Sequence, residues 1–585
     1  STGGAVFQTS RSPELGGESS GHFGLSIGQY QRFGVDAVAN MPLYETLALR
    51  IAVATEKRDS YFSNRNSKAT PGSVDHKSVR IGLLWKPSDN FELLWKTEAN
   101  IARDGGYPYQ PQPGSPNAVA ASADPWTLTM DRADIDDRHD SVRTGIEAKL
   151  TLDNGVVIRS LSGYQLGTQN FANDTDGTSL DLGWEHQRIL DRVFSQELDV
   201  ISPSTDRVRW TVGGSWVRQE AHLDLHAYSN AFPFGPGGFF PTQDVHFLTD
   251  TPKTAVGAFA QVSTDLREGL ELQAGARWSR DRQTQSGGLF LAPAPPLPPF
   301  IPAFGPSYEQ AHVTGKVALN WKLDAAHFLY VFAANGFKSG GVNLTALPFA
   351  AEKVKDIEAG WKATWADGHV RTQFGVFHMD YRNLQTELVD TTIGASATGN
   401  APKSTIKGAE FQLQAKYGGF ATDFNWSYVD SRTDGMPMIN IRNLPGGSAA
   451  GLGPQCAPGQ PPFGCFDYAP FFSTPTGNAT PYAPKTTANV GLEYAFEAAG
   501  STWTPRIDIS HLSEQFSSLF ASQFDRIPAR TIVNASIGIE RGPWRGLVQV
   551  MNLGDKTYVS GIDYVTGNMW LGTPRTVGVS LRRSF

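Results

Sequence analysis

The chain has 585 residues, 40% of them hydrophobic, and its mean hydropathy of -0.30 is too low for a bundle of membrane-spanning helices. Its formal net charge of -7 and its lack of any basic run disfavour nucleic acid as a partner. The chain is also too long for one ordinary core, whereas a β-barrel combines such a length with moderate hydropathy because only every second residue faces lipid.

Residues 1–17 precede the first predicted strand. No signal peptide is recognisable in the chain, and Ser1 begins abruptly inside a motif. We therefore expect a processed or truncated amino terminus, with the barrel beginning at residue 18.

Several later segments alternate strictly between apolar and polar residues, notably 270–278, 409–417 and 488–496. A period of two places one set of side chains on lipid and the other in a wet lumen. Charged residues such as Glu271 and Arg277 occupy the second set, which excludes a dry sandwich core. This pattern predicts an all-β protein, a transmembrane antiparallel up-and-down β-barrel.

The connections alternate in length along the chain. Short turns are predicted at 86–90, 153–155, 267–269, 366–368 and 541–543. Long connections are predicted near 104–137, 169–190, 226–253, 283–307, 388–403 and 433–485. Short periplasmic turns and long extracellular loops are typical of outer-membrane barrels, and aromatic residues beside the short turns, including Trp85, Phe91 and Phe328, predict an interfacial girdle.

Pairing each short turn with two strands predicts 22 strands in the segment 18–585. The even number places both ends of the barrel on the periplasmic side. Val577, Val579, Leu581 and Phe585 form the apolar set of the terminal strand, which we predict closes the barrel. Such a barrel has a backbone diameter of roughly 45 Å, so its lumen must be plugged in a permeability barrier.

Residues with potential chemistry are few. Cys456 and Cys465 are predicted to form a local loop disulfide. His222 and His226 would lie about 13 Å apart on a strand, so we interpret them as hydrogen-bonded histidines of the barrel or its rim rather than shared metal ligands. No catalytic residue, resident metal or cofactor is predicted; the acidic clusters 131–140 and 173–177 could bind calcium but read better as solvated loop charge.

Aromatic residues of the predicted outer loops are candidates for ligand binding, because exposed rings on stiff loops suit an apolar or ring-bearing solute. These loops could equally fold onto one another and roof the barrel. The candidates are Phe232, Phe234, Phe239, Phe240, Trp126 and Trp184.

Motifs spread along the whole chain resemble those of TonB-dependent outer-membrane receptors. Residues 1–13 resemble the final strand of the family's plug domain. Further segments resemble barrel landmarks of the family: 336–341, the run from 355–360 to 379–381, 407–410, 552–556 and 574–577. The resemblance implies that residues 1–17 are the end of a plug and its linker. The rest of the plug, about 130 residues in the family, and the TonB box are not represented, and Arg583 stands where the family usually has an apolar or aromatic residue.

The resemblance implies active import of a scarce solute: a siderophore or other metal chelate, a cofactor or an oligosaccharide. The expected location is the outer membrane of a Gram-negative bacterium. The expected partners are outer-membrane lipid and lipopolysaccharide, the small-molecule ligand, and TonB with its inner-membrane energising complex. Two alternatives stay open: a scaffold or assembly subunit whose lumen is filled by another polypeptide, and a passive porin.

Overall fold

The computed structural model describes the chain except for residues 1–3, 5, 114–121, 182, 230–242, 292–300, 303–306, 344–347, 392–394, 445–454, 461–464 and 565. Within the described residues, no helix is long and apolar enough to cross a membrane.

One antiparallel sheet of 22 barrel strands closes on itself, because the first strand pairs with both the second and the last. The strands are β1 Ser20–Gly28, β2 Arg32–Tyr44, β3 Leu47–Arg58, β4 Val74–Ser88, β5 Phe91–Asp104, β6 Asp136–Thr151, β7 Val157–Asp174, β8 Gly183–Ile201, β9 Val208–Ser229, β10 Gln243–Arg267, β11 Leu270–Gln283, β12 Tyr308–Lys322, β13 His327–Lys338, β14 Glu352–Trp365, β15 Val370–Asp390, β16 Ala395–Tyr417, β17 Phe420–Asp434, β18 Thr486–Tyr494 with its continuation Phe496–Ala498, β19 Ser501–Leu512, β20 Arg530–Arg541, β21 Trp544–Met551 and β22 Thr576–Ser584. The predicted fold class and strand number are confirmed.

The two faces of each strand differ in chemistry, as a barrel in lipid requires. Phe23, Leu25 and Ile27 of β1 are all exposed on the outward face. The inward face carries polar pairs, for example Arg159 of β7, which bonds Asp199 of β8 at 2.6 Å. Residues that lie directly opposite each other on neighbouring strands share a face of the sheet. The outward or luminal face of one residue therefore gives the face of its partners on the next strands.

The predicted girdle is formed in part. Trp85 and Phe91 flank the same short turn with ring centroids 6.0 Å apart. Phe328 lies elsewhere: it is two residues from Tyr330, which bonds Glu358 on the luminal side at 2.6 Å. A girdle position for Phe328 is therefore wrong, because an aromatic residue beside a turn does not by itself specify the face it occupies.

Several strands continue beyond the predicted outer boundaries. The β9–β10 pairing runs without a shift from Val208↔Thr264 to Ser229↔Gln243, well into the connection predicted at 226–253. Likewise β7 ends at Asp174 and β15 at Asp390, inside the connections predicted at 169–190 and 388–403. The predicted boundaries were wrong because both faces of these extensions meet water or loops. The alternation of apolar and polar residues therefore ends at the membrane surface, although the strand continues.

Candidate functional site at the outer mouth

The first described residues run along the luminal wall. The Lys96 Nζ donates to the Ser10 carbonyl at 2.7 Å, and the Glu14 amide donates to Asn40 Oδ1 at 2.9 Å. A Cβ added to Gly82 would lie 3.3 Å from the Pro13 ring, so this glycine lets the segment approach the wall closely. Residues 6–15 have no regular secondary structure.

Charge networks line the periplasmic half of the lumen. Arg506 reaches Asp423 at 2.8 Å, Glu493 at 3.2 Å and Asp508 at 2.6 Å. On the opposite part of the wall, Arg209 reaches Glu271 at 2.7 Å. These side chains lie on the luminal face, as predicted for Glu271. Each network contains more carboxylates than arginines, since Arg209 also pairs with Asp265.

The outer loops fold onto one another in three apolar clusters. One contains Leu128 and Met130, a second contains Ile441 and Tyr468, and a third contains Leu519. All five side chains are almost completely buried, although they belong to loops far apart in sequence. The outer loops therefore pack together at the outer mouth of the barrel, and we call this packed layer of loops the roof.

The final loop, 552–575, ties this roof together. Its hairpin, Val559–Ile562 and Asn568–Leu571, is extended by Gln110–Pro111 of the β5–β6 connection. Asn568 Nδ2 also donates to the Thr175 carbonyl at 2.7 Å.

Aromatic rings from three connections meet at the luminal side of this roof. Tyr107 stacks on Tyr109 with centroids 5.7 Å apart and meets Phe171 at 5.3 Å and Trp570 at 6.3 Å. Phe171 shares its face of β7 with luminal Arg159, which places the group over the lumen. Tyr107 is 46% exposed whereas Tyr109 is 7% exposed. We name Tyr107, Tyr109, Phe171 and Trp570 the mouth cluster.

The mouth cluster can stack on a ring or cover an apolar surface. Burial raises the pKa of the Tyr109 phenol, and nearby Asp563 adds to the effect. Tyr109 is therefore neutral at physiological pH, and it forms part of the buried base of the cluster rather than a phenolate ligand. The Trp570 Nε1 is buried without a hydrogen-bond partner among the described residues.

Of the predicted ligand-binding residues, the structure describes only Trp126 and Trp184, which lie in different places. Phe232, Phe234, Phe239 and Phe240 lie outside the described residues. Trp126 packs on Phe62 at 5.3 Å, next to the buried cluster containing Leu128. Trp184 shares its face of β8 with exposed Phe194, so it points away from the lumen, where it stacks on Tyr228 at 5.5 Å.

The turn that carries Trp126 is fixed by Asp124. Its carboxylate accepts from Thr127 Oγ1 at 2.7 Å and from the Trp126 amide at 3.1 Å, and these hydrogen bonds lower the pKa of Asp124. Ligand binding by Trp126 and Trp184 remains a prediction. The mouth cluster was missed; the pair Tyr107 and Tyr109 in the long 104–137 connection was its only signal in the sequence.

The cysteines and the terminal strand occupy defined places. The Sγ atoms of Cys456 and Cys465 lie 2.01 Å apart, the length of a disulfide bond. Val577, Val579, Leu581 and Phe585 are all exposed on the outward side of β22 and its end. Arg583, on the same face, lies over the Trp544 ring at 5.5 Å from its centroid, so its charge is held at the periplasmic interface.

The rim histidines have different surroundings. His222 bonds Asp250 at 2.9 Å, in keeping with the sequence interpretation. His226 instead lies across the β9–β10 pair from His246.

A family model described as TonB dependent receptor-like, beta-barrel, matches residues 94–553. The chain therefore belongs to the TonB-dependent receptor family. This makes it an outer-membrane β-barrel protein of a Gram-negative bacterium, a receptor of a transport family and not an enzyme.

Solved receptor structures share the fold. The ferric yersiniabactin uptake receptor FyuA of Yersinia pestis aligns with a TM-score of 0.78 at 15% identity, over 98% of this chain and 81% of that one. The siderophore receptor PiuA of Acinetobacter baumannii aligns with a TM-score of 0.74 at 14% identity, over 98% and 82%. The ferric-catecholate import receptor Fiu of E. coli K12 aligns with a TM-score of 0.72 at 12% identity, over 98% and 83%.

Proposed function

We propose that this barrel belongs to an active importer that carries a metal chelate of the siderophore type across the outer membrane, driven by TonB acting on a plug in the lumen. The closed 22-strand barrel of a receptor family carries the proposal. A backbone cylinder of roughly 45 Å cannot stand open in a permeability barrier, so transport through it must be gated. The names of the three structural neighbours, each a siderophore or ferric-chelate receptor, support this class of solute.

The mouth cluster supports recognition of a ring-bearing or apolar chelate. Tyr107 presents an exposed ring beside three others at the luminal side of the roof. Stacking on an aromatic ring contributes about 0.5–1.5 kcal/mol beyond area burial. A chelate entering between the loops would meet this surface before it reaches a plug.

The test is uptake of a panel of radiolabelled ferric chelates, with cobalamin and an oligosaccharide as further arms, in cells that express the complete protein. We expect one ferric chelate to accumulate only when both the receptor and TonB are present. Accumulation that is independent of TonB, with a steady wide-pore conductance in planar bilayers, would overturn the proposal in favour of a passive porin. A second polypeptide that co-purifies in the lumen, without any uptake, would favour the scaffold.

Recognition by the mouth cluster has its own test. The Tyr107→Ala variant should weaken binding of the transported chelate about fivefold to tenfold. Tyr228→Ala is the matched control, since Tyr228 is a tyrosine of the outer region on the opposite face of the wall. Equal affinity for the wild type and Tyr107→Ala would exclude this surface from recognition.

A further inference from the structure

Two imidazoles and a carboxylate meet on the outer extension of β9 and β10. His226 lies directly opposite His246 in the antiparallel register, and Asp224 lies two residues from His226 on the same face of β9. Residues two apart on one strand and a residue opposite them form a compact triangle, since cross-strand neighbours are about 5 Å apart. The pairing therefore brings together three metal-ligand side chains from two strands.

The distances suit a single metal ion. The His246 Nε2 lies 2.7 Å from Asp224 Oδ1, and the His226 Nε2 lies 3.9 Å from the same oxygen. One ligand atom from each residue fits within 4.8 Å of the other two. Two ligand atoms on a tetrahedral zinc ion lie about 3.4 Å apart, which falls between the two measured separations.

The burial of His246 limits how far this ligand can move. Its side chain is 8% exposed, and its Nε2 is the ring nitrogen that faces the Asp224 carboxylate. An imidazole coordinates a metal through one ring nitrogen, so Nε2 is the atom of His246 that would bind an ion in this cluster. The two imidazole rings also stack, with centroids 4.0 Å apart, so small ring rotations would bring both toward one ion.

The cluster lies above the membrane and outside the transport path. On the outward face, the exposed large hydrophobic residues of the described parts of β9 and β10 end at Trp216 and Val256, which are opposite each other. His226 and His246 lie ten residues farther out on their strands, roughly 33 Å along the sheet. Asp224, His226 and His246 share their face with Trp216 and Val256, so they point away from the lumen.

We propose that Asp224, His226 and His246 bind one divalent transition-metal ion of the zinc class, which clamps the outer ends of β9 and β10 together. Imidazole nitrogens with one carboxylate oxygen suit zinc, copper or nickel, whereas calcium and magnesium prefer oxygen ligands. Three protein ligands leave one tetrahedral position for water or a further side chain. His186, opposite His226 on β8, is the nearest histidine in the register for that position.

This site goes beyond the proposed import function. Because it lies outside the lumen, the metal-site proposal can be wrong while the import proposal still holds. The test uses the purified full chain in detergent, stripped of metal and titrated with zinc chloride and, separately, with cobalt chloride. We expect one ion per chain and visible cobalt absorption bands of a nitrogen-containing tetrahedral site. Calcium or magnesium in excess should not displace the ion.

Single-ligand variants sharpen the test. Asp224→Asn and His226→Asn should each weaken zinc affinity about 100-fold. The control is His76→Asn, since His76 bonds Asp104 at 2.8 Å near the outer end of β4 but belongs to no such cluster among the described residues. Because His246 is buried, His246→Asn is interpreted only if the barrel still migrates as a folded species on an unheated gel.

The clamp itself is measured by hydrogen exchange. In the wild type, zinc should slow exchange at the outer ends of β9 and β10, and in His226→Asn zinc should have no effect. The proposal is overturned if the wild type binds zinc no more tightly than His226→Asn, or if bound zinc leaves exchange in this hairpin unchanged.

Discussion

Leu25 of β1 lies directly opposite Leu581 of β22, at the middle of the register that closes the barrel. Both side chains are exposed on the outward face, at 41% and 46%. The seam is extended at the periplasmic end by reciprocal backbone hydrogen bonds of 3.0 Å between Gly21 and Phe585. The first and last strands are thus joined by backbone hydrogen bonds, and their side chains alternate between lipid and lumen as in the other strands.

The first prediction concerns the lipid face of this seam. Leu581→Arg should lower the free energy of unfolding in lipid vesicles by about 2–4 kcal/mol, because it places a charge near the bilayer midplane. Ser580→Arg is the control, since Ser580 is one residue away and therefore faces the lumen. Urea titration of the folded barrel measures the free energy of unfolding of each variant. Equal losses in the two variants would show that the face assignment of β22 is wrong.

The second prediction concerns the luminal network centred on Arg506. Arg506→Met leaves Asp423, Glu493 and Asp508 close together without a cation. We expect the free energy of unfolding to fall by about 1–2 kcal/mol at low salt. This loss should shrink as sodium chloride is added, because salt screens the repulsion between the three carboxylates. Arg545→Met is the control, since Arg545 has a single ion-pair partner among the described residues, Glu540, and both are well exposed. A salt-independent loss would point to packing rather than charge.

The strands crossing the membrane could be predicted from the sequence because lipid imposes a pattern on them. Leu272, Ala274 and Ala276 must be apolar on the outward face, while Glu271 can be charged on the other. Above the membrane this requirement disappears. The sequence therefore predicts a loop at the outer ends of β9 and β10, and it carries no signal for the contact between His226 and His246.

The mouth cluster was hidden for a different reason. Tyr107, Phe171 and Trp570 come from three connections or strand ends that are far apart along the chain, and Trp570 belongs to the final loop. Their contact depends on loop folding that has no short-range signal, unlike the disulfide between Cys456 and Cys465, which are close in sequence. Local spacing predicts local contacts, and the roof is built from distant ones.

The third prediction concerns the tie between two outer loops. Arg442 donates through Nη2 to the Asp563 carbonyl at 2.8 Å, and its guanidinium lies over the Tyr564 ring at 5.5 Å from its centroid. Burial lowers the pKa of Arg442, but a guanidinium stays charged at neutral pH. Arg442→Met should lose about 1–2 kcal/mol of local stability.

The measurement for this tie is hydrogen exchange in segment 552–575, which should become roughly five to thirty times faster in Arg442→Met. Arg526→Met is the control, because Arg526 pairs with Glu514 at a more exposed position of a neighbouring loop. Unchanged exchange in 552–575 would mean that the hairpin of the final loop holds its place without Arg442.

The fourth prediction separates the stability of the roof from that of the barrel. Replacing both cysteines, Cys456→Ser with Cys465→Ser, removes a cross-link between residues nine apart. A closed loop of this size contributes about 2–3 kcal/mol, and it lies beside Phe466 and Tyr468 of a buried roof cluster. We expect limited proteolysis to cut the 435–485 connection much faster in the double variant.

The heat-induced gel shift of the barrel should stay unchanged, because the 22 strands close through β1 and β22 without this loop. A variant that fails to form the folded barrel would instead make the roof part of the assembly pathway.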